Sequence, residues 1–328
     1  MSEGVVKTRA DFDTELKRVN LCGEWFFDDI ISKLSDGPQP AGIPYVWKWP
    51  TMHAMLLEAC RVIPMSFTAR RSLNMMNPGL PKPGTTHTIV SSIQMVLPGE
   101  VAWAHRHSFG AIRFAIQGSE QLYTAVSGEK FIMEPGDLVL NPTGTWHDHH
   151  NEGEDAGIWL DVLDVPLGFS LNQPFYETYG GSTHPLLPQA PGHPYRFPWN
   201  AAREKLYSLA PAELDRFDGA VLQYVDPTTG AAVLPTFGCY LTLLRGGFRG
   251  EEQRLSSSAV YHVVQGSGTA LIGGQQLEWG PRDTFAIPNW THHRLLNGSA
   301  TEDAILFKVS DRPILAALGL VREERPGL

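Results

Sequence analysis

The sequence predicts an all-β core, a tandem repeat of one β-sandwich or barrel, behind an N-terminal helical arm. From residue 86 onward, short runs rich in Val, Ile and Tyr alternate apolar with polar positions, and Pro-Gly and Gly pairs separate them. The 328-residue chain carries 32 Gly and 25 Pro, which implies many turns, and it is long enough for two domains. The chain also repeats itself. Ala111-Ile112-Arg113-Phe114-Ala115-Ile116-Gln117-Gly118 aligns with Ala259-Val260-Tyr261-His262-Val263-Val264-Gln265-Gly266, and Asp137 aligns with Asp283.

In chain order, residues 1–85 form the arm. Phe12, Leu16, Val19, Trp25, Phe27, Ile30 and Ile31 recur at helical spacing between residues 10 and 34, which predicts one or two amphipathic helices. A Gly/Pro segment over 36–44 ends them, and another helix over 52–62 follows a Trp-rich turn at 46–50. Strands are predicted at 88–97, 113–117, 122–126, 137–141 and 157–162, closing a first barrel within 86–168. Residues 169–235 are a Pro/Gly-rich connection with a short helix at 201–209. The second repeat occupies 236–316, and residues 317–328 are a tail.

The balance of 26 Lys+Arg against 35 Asp+Glu gives a net charge of -9, and no basic run could track a phosphate backbone, so nucleic acid is excluded as a partner. Cys22, Cys60 and Cys239 are odd in number and match neither a disulfide framework nor a Cys-rich zinc site, which points to a reducing compartment. The first twenty residues, with Glu3, Lys7, Arg9, Asp11, Asp13, Glu15, Lys17 and Arg18, hold no apolar stretch that a secretion machinery would read. No segment approaches the roughly 18 apolar residues of a membrane span. A soluble, cytoplasmic protein with no membrane partner is expected.

His105, His107 and His147 are the candidate metal ligands. Residues two apart on a strand project to one face, so His105 and His107 can both enter a barrel, and an imidazole from a distant strand completes a facial set with its other side open. An apolar barrel has no other reason to bury several imidazoles, whose nitrogens must be satisfied. The surrounding pattern is Gly99, five residues, His105-Arg106-His107, ending at Gly118; then Gly136, five residues, Pro142-Thr143-Gly144, two residues, His147, three residues, Asn151. It resembles the two cupin motifs, the second at every fixed position. The resemblance implies a bicupin of two jelly-roll β-barrels.

The glutamate that usually follows the second histidine by three or four residues is replaced by Ala111 and Ile112. Three neutral histidines leave the full charge of a divalent ion for the substrate. A chelating carboxylate and phenolate would neutralise it and leave a position for dioxygen, which points to Fe(II) rather than closed structural zinc. In the second repeat Gln253-Arg254-Leu255 stands in place of the His-Arg-His run, and only His293 remains opposite His147. That half is expected to be metal-free and structural, with His262 and His292 as wall or surface residues.

Asn77-Pro78-Gly79-Leu80, Gln94-Met95-Val96-Leu97-Pro98-Gly99-Glu100, Ala104-His105-Arg106-His107, Trp146-His147-Asp148-His149 and Trp159-Leu160-Asp161 resemble the gentisate 1,2-dioxygenase-like family, whose members act on gentisate, salicylates and 1-hydroxy-2-naphthoate. The resemblance covers nearly the whole chain. It implies a homotetramer with one Fe(II) per subunit in the first cupin, O2 as co-substrate, and cleavage of a small aromatic hydroxy-acid between its carboxyl- and hydroxyl-bearing carbons.

An inward Arg113 needs an anion. Its planar fork suits a substrate carboxylate, a charge-assisted contact contributing about 1.5 to 3 kcal/mol, as the matching family arginine is used; a structural pair with Asp161 is the alternative. Gln94 matches a family residue that hydrogen-bonds the substrate, against a simpler reading as a barrel-wall amide. His149 shares the face of His147 and could exchange the phenolic proton. Asp161 is expected to orient a histidine or arginine. Arg71 matches a second family arginine near the pocket, with Arg70 as the other register. Val90 stands where the family often has an aromatic wall residue, and Phe109-Gly110 replaces a more polar pair. A wider or less polar pocket follows, able to take a salicylate substituted para to the hydroxyl, such as 5-nitrosalicylate, in place of gentisate. The alternatives to this reading are a zinc or manganese cupin acting on water, a diketone or a flavonol, and a non-catalytic cupin that binds a small aromatic ligand.

Overall fold

A computed structural model describes residues 8–34, 37–64, 67, 70–210 and 213–327. Glu3, Lys7 and Asp36 lie outside the described residues. The chain divides into two compact units, residues 1–39 and 40–328. In the first, the helix Arg9–Arg18 opens on a capping box: Thr8 Oγ1 accepts from Asp11 N and the Asp11 carboxylate accepts from Thr8 N, while Lys17 and Arg18 sit at its carboxyl end. The helix stops before Asn20, which adopts a positive φ of 58°. The expected second helix is reduced to a short helix, Asp28–Ile31, between single 3-10 turns.

The second unit begins with the strand Tyr45–Trp47 and the helix Trp49–Val62, with Pro50 in its first turn and Met52 and Leu56 buried. The first barrel is a six-stranded and a five-stranded antiparallel sheet. The six-stranded one runs Arg196–Phe197, Leu138–Asn141, Ala111–Gln117, Gly157–Leu163, Val90–Val96, Arg71–Asn74; the five-stranded one runs Tyr176–Thr178, Val101–His107, His147–Asn151, Ser119–Val126, Glu129–Met133. The second barrel repeats the plan with seven- and three-stranded sheets. Each barrel begins earlier than the strand pattern indicates: Arg71–Asn74 lies ahead of residue 86 and Gly219–Gln223 ahead of residue 236. Both strands are short, and the first, an edge strand, is too polar to show an apolar alternation. The connection's helix is Trp199–Tyr207. The tail contributes Glu323–Glu324, paired with Arg254–Leu255.

Parity along the strands divides the molecule into compartments. Ile112, Phe114 and Ile116 face outward and join Val260, Ile305, Phe307 and Val309 in one core shared by the two barrels, where Phe114 stacks on Phe307 with ring centroids 4.2 Å apart. The intervening positions face inward: Ala115, Val139 and Trp159 fill one end of the first barrel with apolar side chains, leaving Arg113 and Asp161 toward the other end. Among the described residues, no helix is long and apolar enough to cross a membrane.

His262 lies in the shared core against Phe114, its Nδ1 3.0 Å from Thr284 Oγ1, and burial pushes its pKa down to about 3. An unfolded chain protonates this imidazole near pH 6.5. Below that pH the unfolded state binds more protons than the folded one, so stability falls as the pH drops from about 6.5 toward 3. Replacing His262 by glutamine is therefore expected to make the decline in thermal midpoint between pH 7 and pH 5 shallower, as read by calorimetry. An unchanged decline would contradict a neutral, buried His262.

Candidate metal centre and substrate cavity

His105 and His107 lie on the strand Val101–His107, and His147 opens the neighbouring strand directly opposite His105. Their potential ligand atoms all lie within 4.8 Å of one another. Ring centroids are 4.2 Å apart for His105 and His147, 4.9 Å for His107 and His147, and 5.6 Å for His105 and His107. Each Nδ1 donates to a carbonyl two residues away in its own segment: His105 to Trp103 O (2.7 Å), His107 to Phe109 O (2.8 Å) and His147 to Thr145 O (3.0 Å). These bonds fix the tautomer and leave three Nε2 lone pairs for a shared ligand.

The electrostatics agree. Burial, reinforced by Arg70, pushes His105 down to about 3; burial with Arg113 pushes His107 down to about 4; burial holds His147 and His149 well below their ordinary value. Imidazoles that stay neutral keep their lone pairs for a metal. His147 Nε2 is buried and has no hydrogen-bond partner. A divalent ion supplies what that nitrogen lacks, so the residues present fit a metal. Ala111 and Ile112, in place of the glutamate, are fully buried and offer no ligand atom. Among the described residues, no other group of three potential ligands forms.

Beside the triad lies a cavity of about 410 Å³. Its polar wall comprises Arg70, Ser72, Asn74, Ser92, Gln94, Arg113, His149 and Asp161, and Val90, Leu163 and Val165 add apolar surface. Arg113 is fully buried with Nε 3.4 Å from Asp161 Oδ1, yet its Nε and Nη1 form no hydrogen bond, and neither does Gln94 Nε2. Orphaned buried donors carry a desolvation cost of about 1–3 kcal/mol each, and here they belong to the wall of one cavity. Burial raises the Asp161 pKa while Arg113 opposes the rise. His149 Nδ1 shares a 2.6 Å hydrogen bond with Thr124 Oγ1.

Gln94, Val90, Arg113, His149 and Asp161 are thus brought together with His105 and His107. Arg71 is not. It points away from the cavity, forms an ion pair with Glu100 and donates to Cys60 O at 3.4 Å. Arg70 is the cavity arginine: Nη1 lies 3.4 Å from His105 Nε2, and Nη2 donates to Tyr176 Oη at 3.2 Å, whose ring stacks on His105. The reason is strand parity, since Arg70, Ser72 and Asn74 share one face and Arg71 and Leu73 the other. That alternation was the signal for Ser72 and Asn74, which sequence reasoning missed. Thr124 and Asn141, whose amide atoms are buried without partners, carried no such signal.

The second barrel has no such centre. Gln253 stands opposite His293, as His105 stands opposite His147, and its Nε2 donates to Asp218 Oδ1 at 2.7 Å. Asp218 also takes Arg325 at 3.2 Å and faces the Lys308 ammonium at 3.7 Å. His262 is buried as a wall residue, and His292 is exposed beside Glu252.

A family model described as Cupin domain matches residues 92–163. The chain is 38% identical to a 1-hydroxy-2-naphthoate 1,2-dioxygenase of Nocardioides sp. strain KP7, over 95% of this chain and 87% of that protein. It is 36% identical to a 5-aminosalicylate 1,2-dioxygenase of Comamonas sp., over 94% and 88%. The chain belongs to the gentisate, salicylate and hydroxynaphthoate 1,2-dioxygenase family. It is an oxidoreductase of this ring-cleaving class with a bicupin fold. A solved salicylate 1,2-dioxygenase of Pseudaminobacter salicylatoxidans is similar to it with a TM-score of 0.85 and 26% identity, covering 99% of this chain and 100% of that one.

The two arginines separate experimentally. Arg71→Met breaks a buried ion pair and is expected to lower stability on the order of 3 kcal/mol. Arg70→Met should change stability by less than about 1 kcal/mol but weaken binding of an aromatic carboxylate. Denaturant unfolding with ligand titration checks both, and the reverse pattern would return Arg71 to the cavity.

Proposed function

We propose that this chain opens the ring of a 2-hydroxybenzoate-type acid between its carboxyl- and hydroxyl-bearing carbons, using O2 and one Fe(II) per subunit held by His105, His107 and His147. The observation that carries this reading is the set of unsatisfied donors on Arg113 and Gln94 in the wall of a cavity bordered by a neutral, carboxylate-free histidine triad. An anionic oxygen ligand satisfies them.

In this scheme Arg113 takes the substrate carboxylate through Nη1, and Asp161, 3.4 Å from Nε, holds the guanidinium in place. Gln94 Nε2 donates to the carboxylate or the ring hydroxyl. His149, neutral and tied to Thr124, receives the phenolic proton through its other nitrogen. Arg70 supplies a second positive charge at the mouth, so the cavity attracts an acid rather than a neutral phenol. Bound Fe(II) supplies the redox chemistry between the electron-rich ring and O2. Both oxygen atoms enter the product, an open-chain dicarboxylic oxo acid.

Val90, Ser72 and Ser92 are small wall residues, which supports acceptance of a substituted ring: a 5-substituted salicylate such as 5-nitrosalicylate, or a second fused ring, alongside gentisate and salicylate. The three cysteines form no disulfide, which supports a cytoplasmic location. Exposed Phe26, Phe27, Ile30 and Ile31 in the arm support a homotetrameric assembly.

Reconstitution with Fe(II) and O2-uptake assays against gentisate, salicylate, substituted salicylates and 1-hydroxy-2-naphthoate test the reading. His107→Ala is expected to abolish iron retention and O2 consumption together, and unaltered turnover in that variant would refute the scheme. Loss of the charge-assisted contact in Arg113→Met should lower kcat/KM by about 10- to 100-fold.

A further inference from the structure

The two barrels hold each other by a reciprocal pair of hydrogen bonds, one part-buried and one buried. Thr236, just ahead of the second barrel's strand Gly238–Leu244, donates through Oγ1 to Asp164 Oδ2 at the end of the first barrel, at 2.6 Å. Thr88, just ahead of the first barrel's strand Val90–Val96, donates through Oγ1 to Asp311 Oδ2 at the end of the second barrel, also at 2.6 Å. Each aspartate also grips the loop that opens the central strand of its own barrel. Asp164 Oδ1 accepts from Gly110 N at 2.9 Å, and Asp311 accepts from Ser258 N and Oγ, both at 2.8 Å.

The two halves of this clasp differ in what their loops carry. In the first barrel Gly110 follows Phe109, whose carbonyl receives His107 Nδ1 at 2.8 Å. The Phe109 ring packs closely over Gly168, where a Cβ would sit 2.5 Å from it, while a Cβ on Gly110 would meet Leu234 and Asp164 Oδ2 at ordinary contact distances of 3.4 and 3.5 Å. In the second barrel the corresponding position holds Leu255, which ligates nothing. We propose that Asp164 and Thr236 are positioning residues for His107, so that the metal-free barrel fixes one ligand of the centre in its neighbour. The bond series runs from Thr236 through Asp164 to the Phe109-Gly110 peptide and from its carbonyl to the imidazole. A ring turned by loss of this anchor would present Nε2 off the common point of the triad. The inference rests on the reading of His105, His107 and His147 as a metal site.

The test uses the full chain loaded with Co(II), whose visible absorption reports ligand geometry, with dissociation constants measured by competition against a chelator. Thr236→Val is expected to raise the Co(II) dissociation constant about 10-fold and to change the visible bands, and Thr236→Ser to restore both. Thr88→Val removes the matching bond on the other side; it should lower the thermal midpoint without moving the Co(II) constant or the bands. Equal Co(II) constants for Thr236→Val and wild type would overturn the proposal, and so would an equal loss in Thr88→Val, which would make the clasp simple glue between barrels. Failure of the wild-type chain to bind Co(II) at all would instead refute the metal site itself, and the positioning role with it.

Discussion

Three imidazoles buried side by side, with every Nδ1 spent on a carbonyl of its own segment, set the terms for the rest of the first barrel. Such a group is tolerable only as neutral rings with their lone pairs turned to one point, and burial enforces that neutrality. The strand pairing of His105 with His147 brings two rings together, and the period of two along Val101–His107 brings the third. The apolar floor of Ala115, Val139 and Trp159 closes the barrel at one end and confines the polar groups to the other. Arg113 and Gln94 leave donors open there, which an oxygen-rich ligand sharing the cavity with the centre would take up.

The second barrel shows how the same scaffold meets its polar interior without a metal. Lys308 occupies the strand position equivalent to Asp161, each facing across to the aligned pair Tyr261 and Arg113. Burial disfavours the Lys308 charge, but Asp218 and Tyr261 outweigh it and hold the ammonium above its usual pKa. Gln253 and Arg325 complete the ring of partners around Asp218. An internal ion network thus stands where the first barrel keeps an open centre. The charged groups of this network pair with one another, while Gln253 Oε1 and Arg325 Nε stay buried without hydrogen-bond partners. In the proposed division of labour, one barrel recruits a ligand, and the other gives the shared core and the clasp a rigid backing.

Much of this was legible in the sequence because two of its signals are geometric. Histidines two apart and a matching third residue after a Gly-Pro-Gly framework state a facial site, and the internal repeat states two copies of one sheet plan. Arg113 and Gln94 were legible chiefly through the family match, and Asp161 as a carboxylate set in an apolar strand. The face of Arg70 and Arg71 could not be read, because Arg71–Asn74 is a polar edge strand, and the family match fell on the residue that pairs with Glu100. Thr124 beneath His149 and the Thr236–Asp164 bond were illegible for a different reason. They join residues 25 and 72 positions apart through single hydrogen bonds, and no local pattern encodes such a contact.

The central claim is that one metal ion is held by three histidines and no protein carboxylate. X-ray absorption on the iron-loaded chain tests it most directly, because imidazole rings give a multiple-scattering signature whose amplitude counts them. Three imidazoles with only further oxygen or nitrogen neighbours is the predicted result, with one ring lost in His107→Ala. Two or fewer imidazoles in the wild-type protein, or a sulfur neighbour, would contradict the account.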